Sequence, residues 1–140
     1  MNRTKVLTFI LAAALILAVG GTILIVAFPQ PSDPFTELYL LGPGGKASGY
    51  PTNLTVGQTG NVTVGVVNHE NANVDYTLVA KLPNQTIATK TFSLANGQKW
   101  EEPISFTPTT RGVEQKMVVD LYKGNDANVY RVVYLVLTVN

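Results

Sequence analysis

Cysteine is absent from the 140-residue chain, and histidine occurs once, at position 69. Without thiols there are no disulfide scaffolds, thiolate metal sites, cysteine nucleophiles or acylated cysteines, and nothing reports the redox compartment. A lone His69 removes multi-histidine metal centres. Charge is also scarce: 14% of residues are charged, and ten basic against nine acidic groups leave a formal charge of +1. No basic surface is large enough to hold a phosphate backbone, which excludes nucleic acid as a partner. There is no Gly-x-Ser-x-Gly elbow, and the adjacent carboxylates Glu101 and Glu102 would point to opposite faces of a strand, unable to flank one glycosidic bond. The expectation is a protein that is not an enzyme, with no catalytic, cofactor or metal residues.

What the chain has in excess is apolar residues, 46% of the total, and many lie in one run. Val6 to Phe28 contains no charge and is followed at once by Pro29, Pro31 and Pro34. As a helix this run would reach roughly 34 Å, enough to cross a hydrocarbon core of about 30 Å. Arg3 and Lys5 precede it, whereas the first charges after it are Asp33 and Glu37, so the positive-inside bias puts the N-terminus in the cytoplasm and the remainder outside. A cleaved signal peptide ending at Ala18-Val19-Gly20 is the competing reading, but it would leave Thr22 to Phe28 as an apolar stub on the mature chain. Within the run, Ala14, Ala18 and Gly21 form a small-residue stripe against which another helix could pack. The expected organisation is a cytoplasmic N-terminus over 1–5, a transmembrane helix over 6–28, a Pro-rich stalk over 29–34 and an extracytoplasmic domain over 35–140.

Beyond the stalk the apolar period falls to two, the period of a half-buried strand. Val62, Val64 and Val66 alternate with Thr63 and Gly65, and Val74, Tyr76, Leu78, Ala80 and Leu82 share one face of the next run. Further strands are predicted over Thr36–Leu41, Ile87–Leu94, Gln98–Phe106, Glu114–Tyr122 and Val129–Val139, with Trp100, Ile104, Phe106, Met117, Val119 and Leu121 inward. Pro103 demands an edge or a bulge. The fold class is all-β: a seven-stranded antiparallel immunoglobulin-like sandwich preceded by one transmembrane helix.

A resemblance is carried by the stretch Phe35 to Pro51, with its Leu41-Gly42-Pro43-Gly44-Gly45-Lys46 core, by Asn53 to Gly57 and Val64 to Glu70, and further by Phe106-Thr107-Pro108 and Leu121-Tyr122. The ectodomain resembles archaeal membrane proteins grouped as domain of unknown function 1616, and the Val-Gly and Val-Asn elements are similar to cell-adhesion-related immunoglobulin-like domains. The resemblance implies a membrane-attached β-domain and supplies no activity. It often comes with several transmembrane helices before this domain, where a single one is expected here.

Four local features carry alternative chemistries. Gly42 to Gly49 is glycine-rich with Lys46, but Lys46 is followed by Ala47 and flanked by strands, so a rigid surface loop is expected and no nucleotide. Asn71 to Asp75 alternates oxygen-bearing side chains, with Asn68 and Glu70 upstream, but the spacing departs from an EF-hand loop; an Asx-rich turn is expected, and a calcium site shared with Asp126 stays open. Asn53, Asn61 and Asn84 each begin an N-x-Thr glycosylation sequon and are expected at the membrane-distal end, while Asn2-Arg3-Thr4 should be cytoplasmic and unused. In the last strand both faces are apolar, leaving Tyr130, Val132, Tyr134 and Val136 as a candidate interaction stripe unless the first strand or the glycine loop covers it.

The functional expectation is a single-pass archaeal surface protein displaying an immunoglobulin-like domain, with a structural or partner-binding role and a protein partner or self-association. An accessory subunit of a larger membrane complex and a pilin-like filament subunit are the alternatives.

Overall fold

Alternation of β-branched and polar residues becomes strand wherever one face can be buried, and seven of the eight strands here arise in such runs. The structure is a computed structural model that describes residues 33–140. The apolar run over 6–28 and its stripe Ala14, Ala18 and Gly21 lie outside the described residues; among those described, no helix is long and apolar enough to cross a membrane.

The strands are β1 (Phe35–Leu41), β2 (Asn53–Leu54), β3 (Gly60–His69), β4 (Val74–Leu82), β5 (Gln85–Leu94), β6 (Lys99–Phe106), β7 (Gly112–Lys123) and β8 (Arg131–Val139). They form a three-stranded sheet in the order β1-β3-β6 and a five-stranded sheet in the order β2-β8-β7-β4-β5. All pairs are antiparallel except β2 with β8. The inner faces meet in one core: Val62, Val64 and Val66 of β3 and Ile104 and Phe106 of β6 pack against Tyr76, Leu78 and Ala80 of β4, Met117, Val119 and Leu121 of β7, and Leu137 and Val139 of β8.

The seven expected strands are present, and the eighth is β2, a two-residue segment with no periodicity of its own. It exists because the chain, having left the three-stranded sheet at Leu41, crosses over and lays Thr52 and Leu54 beside the end of β8, where their carbonyls accept the N–H groups of Thr138 and Asn140 at 2.8 Å each. Strand β8 starts at Arg131, not Val129. Val129 is 45% exposed rather than inward, because residues 124–130 are occupied in turning the chain out of β7.

Pro103 fits where it does because β6 is the outer strand of its sheet and pairs only with β3. Trp100 is only partly buried, closing one side of the sandwich by stacking on Phe92 of β5 at 4.2 Å between ring centroids and 4° between planes. The glycine loop is a compact turn with Gly44, Gly45 and Gly49 at positive φ of 74°, 75° and 73°. At Gly42 the requirement is space: a Cβ there would sit 2.0 Å from the Ser48 carbonyl oxygen.

Candidate interaction surface and its surroundings

Alternation along β8 sends Val133, Leu135 and Leu137 toward the core and Val132, Tyr134 and Val136 to the outer face of the five-stranded sheet. These three are 53%, 54% and 42% exposed, and neither β1 nor the Gly42–Pro51 loop covers them. Across the ladder lie Asp120, Val118 and Lys116, opposite Val132, Tyr134 and Val136 respectively. The Lys116 ammonium sits 4.7 Å from the centre of the Tyr134 ring, and Asp120, nearly buried, takes an ion pair from Lys81 at 2.8 Å. That hydrogen bond, with the Asp120 charge, raises the Lys81 ammonium above its ordinary value. The face is thus an apolar stripe with its charges paired or stacked beside it.

Tyr130 does not belong to this stripe, contrary to the expectation from alternation. It precedes β8 and turns its hydroxyl to Glu70 Oε2 at 2.6 Å, where it joins a polar cluster that the sequence did not disclose. The Glu70 side chain is 7% exposed. It also accepts the Thr36 hydroxyl at 2.7 Å and the Lys123 ammonium at 3.3 Å, while the Tyr76 hydroxyl lies 2.7 Å from Thr36 Oγ1. Lys123 and Arg131 flank the Tyr130 ring at 4.3 and 4.4 Å from its centre. Burial pushes the Glu70 carboxyl up, but the bonds from Tyr130, Thr36 and Lys123, with the Lys123 charge, outweigh it and hold the group below its ordinary value. Burial pushes the Tyr76 and Tyr130 hydroxyls up. The cluster ties β1 to the ends of β4, β7 and β8, so it clamps the two sheets at the end where β1 begins.

The turn weighed for calcium is committed to other work. Asn68 is fully buried; its Nδ2 donates to the Ala72 and Leu94 carbonyls at 2.8 Å each, and its Oδ1 accepts the Glu70 N–H at 2.7 Å. Asp75 accepts the Ser93 hydroxyl at 2.5 Å, and Asp126 accepts the N–H of Asn128 at 3.0 Å. Among the described residues no three His, Asp or Glu side chains gather as a metal would require. His69 stacks on Phe35 and lies 3.0 Å from Glu37 on the outer face of β1 and β3.

Glu101 and Glu102 point apart. Glu101 accepts the Tyr39 hydroxyl at 2.5 Å, and Glu102 lies 3.7 Å from the Lys90 ammonium. Burial, the bond to Glu101 and the charges of Glu101 and Glu37 push the Tyr39 hydroxyl up to about 12. Tyr39 reaches Glu101 by lying across Gly65, where any Cβ would meet the ring at 2.0 Å.

The sequon residues Asn53, Asn61 and Asn84 are all exposed and lie at the end of the sandwich opposite the start of β1. Asn53 Oδ1 accepts the Asn140 amide at 2.9 Å, and Asn61 Oδ1 accepts the Ser105 hydroxyl at 2.5 Å from the neighbouring strand. Asn84 stands in the β4–β5 turn, on the rim of a pocket of about 200 Å³ lined also by Leu82, Pro108 and Arg111. That volume is below the roughly 300–1,000 Å³ of ligand pockets.

Residues 29–138 match the family described as Domain of unknown function (DUF1616). The chain belongs to that family. No curated protein matches it. Among solved structures, the crystal structure of the CARDB domain of the PF1109 protein from Pyrococcus furiosus, described as a complex with di-metal ions, is similar at a TM-score of 0.55 and 16% identity, over 76% of this chain and 94% of that one. The solution structure of the same domain gives a TM-score of 0.56 at 16% identity, over 77% and 96%. A PKD domain of an M14-like peptidase from a Thermoplasmatales archaeon aligns at 19% identity and a TM-score of 0.45, over 79% of this chain and 98% of that one. The CARDB likeness shows the fold, an all-β immunoglobulin-like sandwich of two sheets.

Proposed function

We propose that this DUF1616 chain is a single-pass membrane protein, N-terminus cytoplasmic, whose immunoglobulin-like domain stands outside the cell and binds a protein partner through the outer face of β8. The observation that carries the reading is the exposed stripe Val132, Tyr134 and Val136, large apolar side chains held in register on a rigid sheet. A contiguous patch of this kind marks an interface on a soluble domain. The uncharged run from Val6 to Phe28, with Arg3 and Lys5 before it, supports the anchor and its orientation. The role is adhesion-like or structural rather than catalytic.

Protease added to intact cells tests the orientation. The domain should be lost from the cells, and protection of residues beyond Phe28 until the membrane is permeabilised would reverse the topology.

The sequons give a second expected outcome, since an oligosaccharide transferase must reach an external, accessible asparagine amide. Occupancy should rank Asn84 first, Asn53 next and Asn61 last: Asn84 is at a turn, whereas Asn61 sits within β3 and is held by Ser105. Glycopeptide mass spectrometry of protein from the native host reads the ranking. A modified Asn61 beside an unmodified Asn84 would contradict it.

A further inference from the structure

An unpaired strand edge is a template for another chain, and proteins blunt such edges with charges, prolines and bulges. Three outer strands of this sandwich are treated that way. β6 carries Pro103 with Lys99, Glu101 and Glu102, β5 carries Lys90 and an extra residue, Ile87, where its register with β4 slips, and β1 carries Glu37. β8 is not: Val132-Val133-Tyr134-Leu135-Val136-Leu137 has neither charge nor proline. β2 and the Thr52 before it cover its outer edge from Leu137 to the chain end, and β1 touches it at the other end, where Arg131 Nε donates to the Thr36 carbonyl at 3.3 Å. Between those limits no described strand pairs with that edge. Thr138 and Asn140 aim their N–H groups at β2, and the direction alternates along a strand, so the N–H and C=O groups of Val132, Tyr134 and Val136 aim along the same side.

We infer that the partner is a second copy of this chain, docked by antiparallel pairing of β8 with β8 about a two-fold axis at Tyr134. The inference rests on the reading of β8 as the binding strand and places the second copy at its edge, beside the outer-face stripe. The side chains of the edge suit that register: Val132 faces Val136, Val133 faces Leu135 and Tyr134 faces its counterpart, so no like charges are opposed. The register also fits the free length. The paired stretch runs from Val132 to Val136 and stops at Leu137, where Thr52, whose carbonyl accepts the Thr138 N–H, enters the lane ahead of β2. The two five-stranded sheets become one continuous sheet, and the exposed stripe of each copy is extended by that of the other. Because the paired strands run in opposite directions, the starts of β1 in the two copies lie at opposite ends of the shared sheet, an arrangement suited to copies carried on two facing surfaces.

The full chain in mild detergent tests this, helped by its lack of native cysteine. Paired residues in such a ladder have Cα atoms about 5.5 Å apart, within the range a disulfide spans. Tyr134→Cys should therefore oxidise to a linked dimer, twice 15.1 kDa. Val132→Cys alone and Thr89→Cys on β5 should stay unlinked, while Val132→Cys combined with Val136→Cys should link. Val132→Lys should weaken dimerisation about tenfold or more without changing the circular dichroism of the fold. A monomer at every concentration, with no link through Tyr134→Cys, overturns the inference. A photo-reactive group at position 134 in native membranes separates the two readings: labelling a different protein excludes the second copy and leaves β8 as a binding surface, and labelling nothing overturns both.

Discussion

Replacing Glu70 by Ala should cost about 3–5 kcal/mol of folding stability, read as a fall in the denaturant midpoint at unchanged slope. The carboxylate is nearly buried and satisfies the hydroxyls of Thr36 and Tyr130 and the ammonium of Lys123, so truncation strips three donors of their acceptor at once. Glu70→Gln keeps the shape and loses the charge, with a cost of about 2 kcal/mol. The pH dependence has a definite sign. The carboxyl is held below its ordinary value of 4.5 in the folded protein, so its stabilisation is complete above that value and is lost as the pH falls through the lowered one. Stability of the wild type should therefore drop on acidification below 4.5, more steeply than that of Glu70→Gln. Equal acid sensitivity in the two proteins would mean that the cluster contributes no charge-dependent stability.

Asn68→Leu should cost a further large amount by the opposite route, about 3 kcal/mol or more, although leucine has nearly the same volume. The asparagine amide is fully buried and is the partner of three backbone groups: the carbonyls of Ala72 and Leu94, and the N–H of Glu70. Leucine would leave the Leu94 carbonyl buried without a partner and strip the part-buried Ala72 carbonyl and Glu70 N–H of theirs. Thermal unfolding followed by circular dichroism measures the effect. A midpoint within a degree or two of wild type would show that water takes over those bonds. Since Asn68 also positions the N–H of Glu70, the double variant should lose less than the sum of the two single losses.

Most of the fold was legible because burial imposes a period of two. Tyr76, Leu78 and Ala80, or Met117, Val119 and Leu121, can only line one face of a strand, and that face is the core. Punctuation was equally direct: Asn96-Gly97 turns between β5 and β6 with Gly97 at a φ of 85°, and Pro103 falls on an outer strand. The stripe of β8 was legible for the same reason, with the outward face apolar where most outward faces are polar. Tyr130 was misplaced by extending that alternation one residue beyond the strand. Nothing in the local pattern shows where the period stops.

What the sequence determined by itself is therefore local: which segments are strands, which side chains face inward, where the turns fall, and that β8 is apolar on both faces. The tertiary structure decided which sheet each strand joins, that residues 53–54 pair with β8, and that Glu70 closes a cluster with residues 34 and 60 positions away. Hydrophobic periodicity is set by each segment's own burial and is written in consecutive residues. Hydrogen-bond partners across the sandwich are set by where the chain returns after long excursions, and a carboxylate, two hydroxyls and an ammonium leave no periodic trace of their meeting.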